Sequence, residues 1–138
     1  MSGSRGGRTQ PCSEEQAQRR LEHAKKFQEV AELVGGEADP EYASVAAALA
    51  VLAGIAASDA ACGKALGRRS RGQDHHEAED LLNQIEPGGK TVANVLRRLL
   101  NLKDQAHYGL FDVSGSDLLA AIRRARMLVS FAETILRR

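Results

Sequence analysis

Tryptophan is absent and aromatic residues make up only 4% of the chain. A surface that stacks the successive bases of a single strand on aromatic rings is thereby excluded. Only two cysteines occur, Cys12 and Cys62, too few and too far apart for a disulfide framework or a zinc motif. Neither sign of charge dominates: 19 Lys and Arg stand against 18 Asp and Glu, a net charge of +1. No global field draws the chain to nucleic acid, so any basic surface must be local. The longest apolar run, Val45–Ala57, is Ala-rich and broken only by Gly54. It falls short of the about 20 residues that a bilayer span needs. Met1–Pro11 is rich in Gly, Ser and Arg and lacks the apolar core of a signal peptide. The expectation is a cytoplasmic protein with no membrane segment. No stretch alternates apolar and polar residues over a strand's length, which leaves helices.

What is present is an ordinary globular composition, 43% apolar and 27% charged over 138 residues. That is one domain with a sizeable core. Residues 1–12 read as a disordered tail, and residues 13–138 as a single helical-bundle domain. Ser13 and Gln16 form a capping box for a helix whose apolar positions Leu21, Ala24, Phe27, Val30, Ala31 and Val34 recur at a period of 3.6. Gly35-Gly36 ends it. Asp39-Pro40 opens the next helix, which runs to about Leu66 and is apolar nearly all round, as the central helix of a bundle is. After the basic loop Gly67–Gly72, Asp74 and Glu77 cap a short helix with Leu81, Leu82 and Ile85 on one face. A fourth helix covers about Thr91–His107, and Ser114 caps a fifth that carries Leu118, Ile122, Ala125, Leu128 and Ala132. The fold class is all-α: an up-and-down bundle of four long helices plus one short helix.

Several residue groups could carry chemistry. Gly88-Gly89-Lys90-Thr91 lacks the spaced glycine and the preceding strand of a phosphate loop, and reads as a loop ahead of a helix. His75 and His76 are adjacent, whereas two metal ligands on one helical face need three- or four-residue spacing, so no metal site is expected. Arg68, Arg69 and Arg71 with His75 form a local basic cluster that either holds an anion at a helix start or is simply solvated. Lys103 and His107 share a face four residues apart, as do Asp104 and Tyr108. A His is a general base near neutral pH and a Lys stabilises developing negative charge, but both residues also suit a helix end. Asp59 sits beside the apolar stretch of the central helix, where a lone carboxylate is costly, so it needs a basic partner such as Lys103 or an Arg.

Three segments together resemble a HEPN domain (higher eukaryotes and prokaryotes nucleotide-binding), in particular an actinobacterial HEPN-like branch of unassigned activity. They are Ala57-Ser58-Asp59-Ala60-Ala61-Cys62, the loop Leu66–His75 with Ala78, and Leu102-Lys103-Asp104-Gln105-Ala106-His107-Tyr108-Gly109. The likeness covers about residues 40–136. It implies a bundle of four or five helices and a homodimer with its functional cleft where two protomers meet. Active members are metal-independent ribonucleases marked by Arg, four to six residues, then His. Here eight residues separate Arg98 from His107 and three separate Lys103 from His107, so the His fits the pattern and the Arg does not. The superfamily also includes toxins paired with antitoxin proteins, and non-catalytic assembly modules. The resemblance therefore implies a module that binds RNA or nucleotide, with ribonuclease activity as its catalytic form. His107 would deprotonate a ribose 2′-hydroxyl, Lys103 would stabilise the phosphorane, and Arg68, Arg69, Arg71, His75 and Tyr108 would contact substrate. Asp59 and Asp104 would be structural polar residues, with no cofactor and no metal. The rival reading is a non-catalytic dimerisation or partner-binding bundle.

Overall fold

The computed structural model describes residues 9–37, 39–71, 76–108 and 113–138, with residues 104–108 described by their backbone alone. Five helices form among them: α1 Glu14–Val34, α2 Pro40–Leu66, α3 His76–Asn83, α4 Gly89–Tyr108 and α5 Gly115–Leu136. Caps fix their starts. The Ser13 hydroxyl accepts from the Gln16 amide at 3.1 Å, and the Gln16 side chain accepts from the Ser13 amide at 2.9 Å. The Asp39 carboxylate accepts from the Glu41 amide ahead of α2, with Pro40 at the first position. Ser114 accepts from the Asp117 amide at the start of α5. Gly67 closes α2 in a left-handed conformation (φ 74°), which a residue without Cβ adopts at little cost, and its N–H reaches the Gly63 carbonyl.

Among the described residues the fold is all-α apart from one two-stranded ribbon. Strand β1, Thr9–Pro11, pairs antiparallel with β2, Arg68–Ser70, in the register Thr9↔Ser70, Gln10↔Arg69, Pro11↔Arg68. This corrects two expectations. Residues 9–12, assigned above to a disordered tail, form β1 and the buried Cys12, and part of the loop after α2 is strand. Three residues per strand are too few to show alternation, and the partner lies far off in sequence, so no local pattern announces the ribbon. Cys12 donates its backbone N–H to Gly67 and lays its sulfur on Gly63, where an added Cβ would collide with it.

Helix α2 is the centre, packed against α1, α4 and α5 and touching α3. Ala46, Ala47, Ala50, Ala53, Ala56, Ala57, Ala60 and Ala61 are fully buried. At Gly54 two helices close in together: a Cβ there would stand 2.7 Å from Leu99 of α4 and 3.1 Å from Leu128 of α5. By length and hydropathy α2 could cross a membrane, but 72% of its most apolar window is buried inside the protein. That degree of burial is what a helix apolar on all sides shows at a core. The end of α2, the α3–α4 turn and the end of α5 meet at one end of the molecule, where Leu66, Glu86 and Ile135 share a hollow and Arg138 donates to the Glu86 carbonyl. Helix α4 therefore starts at the end where α2 finishes and runs antiparallel to it.

Candidate functional site

Asp59 lies on α2 five residues past Gly54, on a face covered by α1 and the ribbon. It is buried, and its Oδ2 accepts from Arg20 of α1 through Nε (3.1 Å) and a terminal nitrogen (2.9 Å). Arg69 of β2 adds a longer ion pair at 3.7 Å. With the Gln10 amide oxygen turned toward it, Arg69 also donates across the ribbon to its register partner. Burial nevertheless outweighs the two guanidinium groups and holds the Asp59 carboxyl above its ordinary range. The same burial, reinforced by the Asp59 charge, pushes the Cys62 thiol far up. Cys12 is raised as well, again chiefly by burial. Both cysteines are free and protonated at neutral pH, so neither is a nucleophile. The cluster is a buried clamp that ties the N-terminal strand and α1 to the central helix.

The partner of Asp59 is thus Arg20, with Arg69 second, and not Lys103, which lies half-buried on α4. Arg69 is committed to this clamp, while Arg68 and Arg71 are exposed. His75, and the side chains of Asp104, His107 and Tyr108, lie outside the described residues. The backbone still places position 107. Leu99 faces Gly54 where the two helices cross antiparallel, so the rise of a helix puts residue 107 roughly 20 Å along the axis from the level of Asp59 and Arg69. Within one chain the Arg68–Arg71 segment and the His107 end of α4 are thus separated along the bundle axis. Among the described residues no group of three or more His, Cys, Asp or Glu could hold a metal ion.

A different basic surface runs between α4 and α5. Thr91, Asn94, Val95 and Arg98 of α4 face Ala120, Arg123, Arg124 and Met127 of α5 across a hollow of about 410 Å³. Arg123 and Met127 also line an adjoining hollow of about 460 Å³ with Val92, Arg126, Ser130, Phe131 and Thr134. Together they form a groove that follows α5 for roughly 21 Å. No carboxylate lines either half. Arg126 is held by Glu32 of α1 at 3.0 Å, and that pair with the Gln28 amide keeps Glu32 below the usual carboxylate range, the Gln28 hydrogen bond contributing most. Arg98, Arg123 and Arg124 make no ion pair with any described residue, and neither do Arg68, Arg71, Lys90, Arg97 and Lys103; what sets the groove apart is that three such arginines gather around one hollow.

The sequence does carry a signal for this groove, the doublets Arg97-Arg98 and Arg123-Arg124 on the last two long helices. Arg68, Arg69 and Arg71 stand out more in the sequence, because they cluster locally and adjoin a histidine. Thr91, Asn94, Asn94's neighbour Val95 and Arg98 share one face of α4 at three-to-four spacing, and Ala120, Arg123, Arg124 and Met127 do so on α5. Comparison with family models, with curated proteins and with solved structures finds no match.

Proposed function

We propose that this chain is a HEPN-like helical module, four long helices up and down with one short helix, that binds RNA or a nucleotide by its phosphates along the α4–α5 groove. The observation that carries this reading is three arginines, Arg98, Arg123 and Arg124, around one groove with no carboxylate to neutralise them. Guanidinium groups recognise phosphate oxygens in pairs, and Thr91 and Asn94 add neutral hydrogen-bonding groups beside them. Scarcity of aromatic residues makes this a backbone-led mode, with phosphate contacts supplying affinity and little base readout. Cleavage is the further half of the reading. It lies apart from the groove, at the end of α4, where His107 would deprotonate the 2′-hydroxyl, the 2′-oxygen would attack the adjacent phosphate with Lys103 beside the phosphorane, and the 5′-oxygen would leave taking a proton from water.

The test is binding of a labelled single-stranded RNA at low salt, followed by fluorescence anisotropy, with cleavage assayed in chelator. Arg123→Ala combined with Arg124→Ala weakens binding about tenfold or more. His107→Ala abolishes cleavage and leaves binding nearly intact, because a general base acts in the transition state. Equal binding by the double arginine variant and the wild type overturns the groove. Binding without cleavage confines the function to recognition.

A further inference from the structure

The two halves of the α4–α5 groove differ in kind. Arg98, Arg123 and Arg124 all stand around the first, whereas Met127 and Phe131 floor the second against the buried Val92. Met127 is 43% exposed and Phe131 half-buried. Phe131 is the one aromatic side chain that lines the groove. The turn before α4 holds one edge of its ring, since a Cβ on Gly88 would stand only 3.3 Å from it. The ring is thus fixed from behind while it lines the hollow. Ser130 and Thr134 add two exposed hydroxyls beside it. Thr134 donates to the Ser130 carbonyl at 3.1 Å, so its oxygen faces a ligand as an acceptor. The Ser130 hydroxyl makes no hydrogen bond with any described residue, which leaves it to donate or accept.

Shared walls join this hollow to the arginines. Arg123 and Met127 line both halves, one helical turn or about 6 Å apart along α5. That is the step from a phosphate, across its sugar, to the attached base. A nucleobase has flat apolar faces and polar edges. The floor offers a polarisable thioether and a ring for the face, and the two hydroxyls answer the edge. An aliphatic side chain of an acidic peptide would cover the same floor and leave both hydroxyls unpaired. The hollow of about 460 Å³ lies within the roughly 300–1,000 Å³ that small-ligand sites take. We propose that Met127 and Phe131 form a seat for a single nucleobase of a strand whose phosphate is held by Arg123 and Arg124. The proposal rests on the binding reading above and adds the place of one base to it. A single ring seats one base, not the successive bases of a stacking platform, and stacking accepts every base, so the seat adds affinity without sequence preference.

Met1 and Met127 are the only methionines, so isotopic labelling of the methionine methyls puts one reporter in the groove. The full chain is titrated by NMR with a short single-stranded RNA and, separately, with inorganic polyphosphate, which carries the charge of a strand and no base. RNA moves the Met127 methyl resonance upfield through the ring current of the seated base, and polyphosphate does not. Phe131→Leu, which keeps an apolar side chain beside the turn, weakens RNA binding about fivefold or more. It leaves the affinity for polyphosphate and the salt slope for RNA unchanged, because no phosphate contact is lost. Arg123→Ala with Arg124→Ala weakens both ligands. The methyl readout uses the wild type, so the test stays decisive should Phe131→Leu fail to fold. An unmoved methyl at saturating RNA, or equal RNA affinity of Phe131→Leu and the wild type, overturns the base seat and leaves the phosphate groove standing. RNA binding indifferent to the arginine pair overturns the groove and the seat together. A methyl that moves with an acidic peptide and not with RNA overturns the proposal and assigns the hollow to a protein partner.

Discussion

Asp59 shows how far one residue can be read before its surroundings are known. Its apolar neighbours on α2 already demand a partner, because an unpaired carboxylate there is costly. Which arginine answers depends on how α1 lies against α2, and nothing local encodes a contact 39 residues away. The energetics follow from exposure. Both arginines keep about a third of their side chains in solvent, so removing Asp59 leaves cations that water can still reach. Removing Arg20 is worse, since it strands a buried anion on the longer Arg69 contact. Arg20→Ala is expected to lose about 1–3 kcal/mol at pH 7, below the full value for a completely buried pair. The folded Asp59 carboxyl titrates above its unfolded value, so its protonated form favours the fold at low pH and that advantage is lost as pH rises through the folded value. Urea unfolding of the variant at pH 7 and near pH 5 should show the loss shrinking in acid, because the stranded carboxylate takes up a proton. An equal loss at both values would mean Asp59 is not the group left unpaired. Gly63 offers an independent check on the same clamp. Gly63→Ala drives a methyl into the Cys12 sulfur and within 3.0 Å of Ala17, outweighing the ~1 kcal/mol that Ala gains over Gly in a helix. Adding Cys12→Ala should recover much of the loss in a double-mutant cycle.

At the scale of elements, the helices were readable where the chain carries its own punctuation. Ser13 with Gln16, Asp39 with Pro40, and Ser114 each sit at a helix start that the structure shares. The ribbon was not readable, because its strands are held by pairing across the molecule and by the burial of Cys12, not by local pattern. Central placement of α2 was readable from its lack of a polar face, although that same uniformity hides which stretch is covered and which is open. Its packing is close enough to be tested by volume. Ala56 is fully buried on the helix that α1, α4 and α5 all touch. Ala56→Leu should overpack this junction by about 1–3 kcal/mol and lower the melting temperature. Leu52→Ala on the open part of the same helix should cost far less, since little packing surrounds it. Equal costs at the two positions would contradict the division of α2 into a covered and an open face.

At the scale of the whole molecule, a net charge of +1 conceals a separation of charge: acid gathers at the α1–α2 turn and unpaired arginine along α4–α5. Composition reports only the sum, so the separation shows only once the two helices lie side by side. A groove that works through phosphates must betray itself in salt. Each phosphate neutralised on a single strand releases counterions, and log K falls with log salt by about 0.7 per contact. Three unpaired arginines therefore predict a slope of about −2 for single-stranded RNA. Arg98→Ala should reduce its magnitude by about 0.7 while weakening all sequences alike, since phosphate contacts carry no base information. Arg126→Ala should change it much less, because Glu32 already occupies that guanidinium. Arg71→Ala, at the far ribbon, should leave the slope of one chain unchanged if the groove alone holds the strand. A titration of binding between about 50 and 200 mM salt separates these variants, and a slope that responds to Arg71 but not to Arg98 would move the binding surface from the α4–α5 groove to the ribbon.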